Sequence, residues 1–234
     1  MTHLRSITIE PREMLVDTAC KWIAESIAAA VAERGGCALA LSGGTTPRAV
    51  YARLAGWAGI QWPRVDVFFG DERCVPPDAA ASNYRMASDV LLSRVPVSPD
   101  RIHRMEAERA DIDAAARDYD RGLPDRLDVL LLGMGADGHT ASLFPDAPAL
   151  DERLRLVVST VSPVPPVGRL TITPPVIASA RRVVMIVTGA EKARAVERVF
   201  EGTLDPRAVP AQLALAGHWF LDRGAASLLG TAYT

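Results

Sequence analysis

The residues with the densest chemical content lie in Leu130–Pro145, "LLLGMGADGHTASLFP". An apolar run gives way to Gly133, Gly135 and Gly138, with Asp137 and His139 among them. A histidine in a turn, two residues after a carboxylate, is a candidate catalytic residue. The carboxylate fixes the imidazole tautomer and stabilises its protonated form. A loop histidine satisfied by backbone is the bland reading, and the three glycines with Asp137 favour the functional one. The glycines also satisfy G-x-G-x-x-G. The segment after them reaches Pro145 within seven residues, and no acidic residue follows where a ribose would need it, so a dinucleotide fingerprint is disfavoured.

A second stretch, "LALSGGTTPRAVYARL", reads as strand, glycine turn and helix. Gly43 and Gly44 permit a tight turn, Ser42, Thr45 and Thr46 supply hydroxyls, and the helix start adds free N–H groups and its positive dipole end. This is a phosphate cradle. It lacks the lysine of a nucleoside-triphosphate loop. Two further loops, "GDER" (70–73) and "TGAEKA" (188–193), bring the cations Arg73 and Lys192 to the same sheet edge, where an isolated Lys or Arg is usually a solvated surface charge. Asp71 and Glu72 are either acid/base groups or partners of Arg73. Asn83 either contacts a ligand or caps the helix near it. Cys74 adjoins the site, but a Cys–His nucleophile pair is disfavoured. His139 has no second His or Cys at ligand spacing, so no metal is expected.

These loops need strands to carry them. Apolar runs at 37–41, 65–69, 127–132, 154–160, 182–188 and 218–222 read as strands, with a short one at 169–173. Helical spacing covers 12–34, 83–93, 111–121 and 191–200. A helix capped by Thr46 with Pro47 at its first position runs to Leu54, and 225–229 reads as a closing helix. The alternation predicts an α/β fold: a single-domain, Rossmann-like, parallel or mostly parallel sheet with helices on both faces. No repeat, long linker or low-complexity segment divides residues 1–234, and the proline-rich "SPVPPVG" (162–168) is a loop. Ligands in such sheets bind at the carboxyl ends of the strands, where all four loops converge.

The 234 residues carry 26 basic and 28 acidic side chains, a net charge of −2, which gives no nucleic-acid footprint or polybasic membrane patch. No apolar run approaches a membrane span, and the first residues lack a signal-peptide core. Cys20, Cys37 and Cys74 are odd in number and without ligand spacing, so neither a disulfide framework nor a zinc site is expected. The setting expected is the cytoplasm.

Taken together the motifs resemble the family of glucosamine-6-phosphate isomerases and 6-phosphogluconolactonases, in its lactonase branch. The matching strings are "LSGGTTP" (41–47), "GDERCVP" (70–76), "SNY" (82–84), "GMGADGHTASLFP" (133–145), "GRLTIT" (168–173), "TGAEKA" (188–193) and "VPAQL" (209–213). Thr45 stands where that family more often has Ser, and Phe69 where an aromatic such as Trp is common. The resemblance implies hydrolysis of 6-phospho-D-glucono-1,5-lactone in the oxidative pentose phosphate pathway, without a cofactor. It implies His139 as base and Asp137 as its orienting group. Arg73, Arg169 and Lys192 would anchor phosphate and sugar together with Ser42, Gly43, Gly44, Thr45 and Thr46. The expected partner is the small phosphosugar lactone, bound by a monomer or homodimer, with no nucleic acid or membrane. The deaminase branch typically continues its "DGH" turn with Asn-Glu-Pro-Gly. Here Ser142, Leu143, Phe144 and Pro145 stand in that place, with no carboxylate before Asp146. A regulator that binds sugar phosphate without catalysis would not need Asp137 and His139.

Overall fold

The computed structural model describes residues 6–231 and Tyr233. Six strands form one parallel sheet: β1 (Ser6–Glu10), β2 (Cys37–Leu41), β3 (Val65–Phe69), β5 (Val129–Leu132), β8 (Val183–Val187) and β9 (His218–Asp222), in the order β1-β9-β8-β5-β2-β3. The central strand β5 is buried at every position, and β3, β8 and β9 are buried along most of their length. Successive residues of a strand point to opposite faces, so such runs mean that both faces of the sheet are covered. The longest covering helix is α1 (Arg12–Arg34). Its Leu15, Ala19, Ile23, Ile27 and Ala30 recur at helical spacing and are buried, and Gly35 stops it in a left-handed cap.

The remaining strands, β4 (Asp71–Arg73), β6 (Val157–Val161) and β7 (Gly168–Ile172), form a separate antiparallel sheet in the order β4-β7-β6. The segments at 154–160 and 169–173 are therefore strands, as expected, but they stand outside the parallel sheet. The other helices are α2 (Thr45–Leu54), α3 (Asn83–Val90), α4 (Ile112–Gly122), α5 (Pro174–Ser179) and α6 (Ala193–Phe200). Thr46 is not the cap of α2. The helix starts two residues earlier, at Thr45, with Gly44 in the cap position at φ 110° and no side-chain cap. Residues 225–229 form turns rather than a helix, because the buried Asp222 carboxylate accepts from the Ala225 N–H and the Asp222 carbonyl from that of Ala226.

The strand order locates the ligand crevice. From β2 the chain moves outward to β3, then re-enters on the other side of β2 as β5 and continues in the opposite direction to β8. The topological switch point thus lies between β2 and β5, and ligands bind outside the carboxyl ends of such a pair. β2 ends in the Ser42–Pro47 loop and β5 in the loop that holds His139.

Candidate active site

A cavity of about 290 Å³ opens at this switch point. Its walls include Ser42, Gly43, Gly44, Thr45, Thr46, Arg73, His139 and Lys192, so eight of the ten residues expected from the sequence meet in one place. Asp137 and Arg169 are not on its wall, and each reaches the site through a neighbour.

Asp137 acts through His139. Its Oδ1 lies 2.6 Å from the imidazole Nδ1 and 3.1 Å from the His139 backbone N–H, which donates to it. Burial works to raise the Asp137 carboxyl. The hydrogen bonds from His139 outweigh it and hold the group below its ordinary range. With Nδ1 engaged, Nε2 has no hydrogen-bond partner among the described residues. The loop is shaped for this pair. A Cβ on Gly135 would stand 2.2 Å from the His139 ring and 2.5 Å from Asp137 Oδ1. Gly138 turns the chain at φ 92°, in the left-handed region that glycine favours. The Phe144 ring packs 4.8 Å from the imidazole, centroid to centroid.

The opposite wall is a set of unused donors. Tyr51, fully buried in α2, holds Ser42 at both ends, its hydroxyl accepting from the Ser42 N–H and donating to the Ser42 carbonyl. That clamp leaves the N–H groups of Gly43, Gly44, Thr45 and Thr46 without an acceptor among the described residues, at the positive end of α2. The Ser42 Oγ is buried and has no partner either. Thr46 Oγ1 meets Thr188 Oγ1 at 2.7 Å, which ties this loop to the one after β8. Among the described residues, Arg73, Arg169 and Lys192 form no ion pair.

The antiparallel ribbon explains its polar residues by alternation. Asp71 and Arg73 share one face of β4, and their partners on β7, Thr171 and Arg169, share that face with them. The Arg73 guanidinium donates to the Ala81 carbonyl at 2.5 Å. That of Arg169 donates to the carbonyls of Pro166 and Gly168, so it lies beside Arg73 rather than in the cavity wall. Burial and the Arg73 charge depress Arg169 below its ordinary value.

Glu72 faces the other way. It accepts from the N–H groups of Arg73, Asn83 and Tyr84 and from the Ser82 hydroxyl, which docks the start of α3. Burial raises its carboxyl against the pull of those donors. Glu72 is therefore a structural anchor and not an acid/base group. Ser82 caps α3, and the buried Asn83 lies under Gly43, where a Cβ would come 2.0 Å from its Oδ1. Burial pushes the Cys74 thiol up, the reverse of an activated nucleophile.

Sequence reasoning did not single out Ser142, Thr171 or Tyr51. Ser142 lay inside the "DGHTASLFP" string, but its partner is 71 residues away in sequence. Nothing local marks that contact. Among the described residues no group of three His, Cys, Asp or Glu side chains is placed to hold a metal.

Comparison with known proteins shows the family and the fold. Residues 10–221 match the family described as glucosamine-6-phosphate isomerases/6-phosphogluconolactonase. The 6-phosphogluconolactonase of Mycobacterium tuberculosis is 40% identical over 243 residues, covering 96% of this chain and 98% of that protein. The 6-phosphogluconolactonase of Synechocystis is 39% identical, covering 92% and 93%. The solved structure of 6-phosphogluconolactonase from Trypanosoma brucei superposes with a TM-score of 0.87 at 30% identity, covering 98% of this chain and all of that one.

Proposed function

The chain belongs to the family of glucosamine-6-phosphate isomerases and 6-phosphogluconolactonases, and from that premise we propose that it hydrolyses 6-phospho-D-glucono-1,5-lactone to 6-phosphogluconate, with His139 as the base. The observation that carries this reading is the Nε2 of His139, without a partner among the described residues and with its tautomer fixed by Asp137, in the same cavity as a set of anion-binding groups.

A lactone is an activated ester and needs no covalent nucleophile. Nε2 removes a proton from water as the water oxygen bonds to C1, and a tetrahedral oxyanion forms. Collapse breaks the bond between C1 and the ring oxygen. The proton on Nε2 passes to that oxygen, which leaves the 6-phosphogluconate hydroxyl and a neutral imidazole. General-base assistance of this kind contributes about 10²–10⁴-fold. The phosphate, at the far end of the substrate, is held by the N–H groups and hydroxyls of Ser42–Thr46 with Arg73 and Lys192, and Arg169 reinforces the positive potential behind Arg73. Binding energy spent there fixes C1 against the base.

Ring-opening chemistry on an amino-sugar phosphate is disfavoured. The Phe144 ring occupies the space beside His139, and the nearest carboxylate after it, Asp146, is exposed and pairs with Arg207. The enzyme acts as one unit over residues 1–234, needs no cofactor, and works in the cytoplasm as a monomer or homodimer. Its three cysteines are all free, and no helix among the described residues is long and apolar enough to cross a membrane.

The test generates the lactone freshly from glucose 6-phosphate at mildly acidic pH and couples the product to 6-phosphogluconate dehydrogenase. Acceleration well above spontaneous opening is expected. No acceleration, together with turnover of glucosamine 6-phosphate, would move the chain to the deaminase branch.

A further inference from the structure

One carboxylate in the cavity has no use in the steps above. Asp71 lies on the wall beside Arg73, is only 8% exposed, and forms no ion pair among the described residues. Its surroundings are built to hold it still. Ser142 Oγ donates to Oδ2 at 2.7 Å, and Asn83 Nδ2 donates to Oδ1 at 3.1 Å. Ser142 is itself fixed by its N–H, which donates to Thr171 Oγ1, directly across the ribbon from Asp71. Asn83 is wedged under Gly43. The base-bearing loop and the phosphate loop therefore both lean on this carboxylate.

A carboxylate has about four acceptor positions, and two protein donors leave about half of them open. A buried charge with spare acceptors is costly unless it finds donors. The donors must come from the cavity, and they cannot belong to a phosphate, which the carboxylate repels. They fit the hydroxyls of a polyol whose other end is anionic. We propose that Asp71 is the specificity-determining acceptor for the ring hydroxyls of the substrate, with Ser142 and Asn83 as its positioning residues; this deepens the lactone reading and rests on it. Asp71 takes no proton in the reaction. It discriminates a hydroxylated ring from one that lacks a hydroxyl at the contacted carbon.

The test is a cycle between the protein and its ligand. Binding of 6-phosphogluconate and of its 2-deoxy, 3-deoxy and 4-deoxy counterparts is measured by calorimetry, and turnover is measured on the matching lactones, for wild type and Asp71→Asn. A hydrogen bond to a charged group predicts that wild type loses about 10- to 100-fold in affinity and kcat/KM with at least one deoxy ligand. Asp71→Asn loses the same factor with the native ligand and nothing further with that deoxy ligand. Ser142→Ala weakens the discrimination, chiefly through KM, and Ser142→Thr restores it. Wild type that treats all four ligands alike overturns the proposal, and so does an Asp71→Asn variant that is weaker by one common factor for every ligand. Discrimination in binding without any lactone turnover would overturn the proposed reaction and leave the Asp71 assignment standing.

Discussion

Among the described residues there are two histidine–aspartate pairs, and only one sits in a chemical setting. His139 meets Asp137 at 2.6 Å through Nδ1, in a glycine-shaped loop at the sheet's switch point. His103 meets Asp66 at 3.2 Å through Nε2, and its ring stacks on Phe68 with centroids 4.5 Å apart. His103 also borders a cavity, of about 490 Å³, larger than that of the candidate site. The pair and the hollow are thus common to both regions. The difference lies in what surrounds them. Asp66 is shared with Arg101 at 2.7 Å, and the arginines of that cavity, Arg104 and Arg109, are taken by Glu106, Glu108 and Asp118. Around His139 the cations have no carboxylate partner among the described residues, Arg73 and Arg169 donating only to backbone carbonyls, and the N–H groups of Gly43–Thr46 have no acceptor there. Unspent donors, rather than a His–Asp contact or cavity size, distinguish a site for an anionic ligand from a surface that has satisfied itself.

The largest effect expected from this contrast is at the two histidines. His139→Ala should lower turnover about 10²–10⁴-fold while the fold is retained. His103→Ala should leave turnover within about twofold. Equal losses in the coupled assay would erase the distinction. Gly135→Ala comes next. Its Cβ collides with both His139 and Asp137, so activity should fall roughly as far as on loss of the base, that is about 10²-fold or more. Gly122→Ala, where a Cβ meets nothing within 4 Å, serves as the control.

Charge removal gives smaller effects. Lys192→Ala should raise KM about tenfold or more with a lesser change in kcat, as expected for a charge-assisted contact to phosphate. Arg104→Ala, from the satisfied cavity, should do nothing measurable. The smallest effect is on stability. The depressed carboxyl of Asp137 stabilises the fold above the ordinary aspartate pKa, about 3.9, and that contribution is lost as pH falls through the lower folded value. Asp137→Asn should therefore melt below wild type at neutral pH, and the gap should narrow as the solution is acidified past the ordinary aspartate range. A gap that widens on acidification would contradict the assigned direction.

Much of the site was legible because its loops follow buried parallel strands, whose apolar runs are loud and whose carboxyl ends are predictable. The ribbon was quieter. β4 is Asp71, Glu72 and Arg73, three charged residues that no strand preference would select. They become a strand only by pairing with β7. β1, "SITIE", is a half-exposed edge strand beside Pro11, too short and too open to stand out. Pairing between separate segments also decided the fate of two ambiguous residues: Glu72 and Asn83 took structural duties at the start of α3. Arg169, expected as an anchor, instead donates to the nearby carbonyls of Pro166 and Gly168.

The central claim is that His139 is a base whose removal leaves the ligand site standing. The most direct measurement pairs the coupled lactone assay on His139→Ala with calorimetric binding of 6-phosphogluconate to the same variant. The account predicts lactone opening at or close to the spontaneous rate, with product affinity within a few-fold of wild type. Retained turnover at wild-type level, with binding intact, would contradict it and remove the imidazole from the reaction.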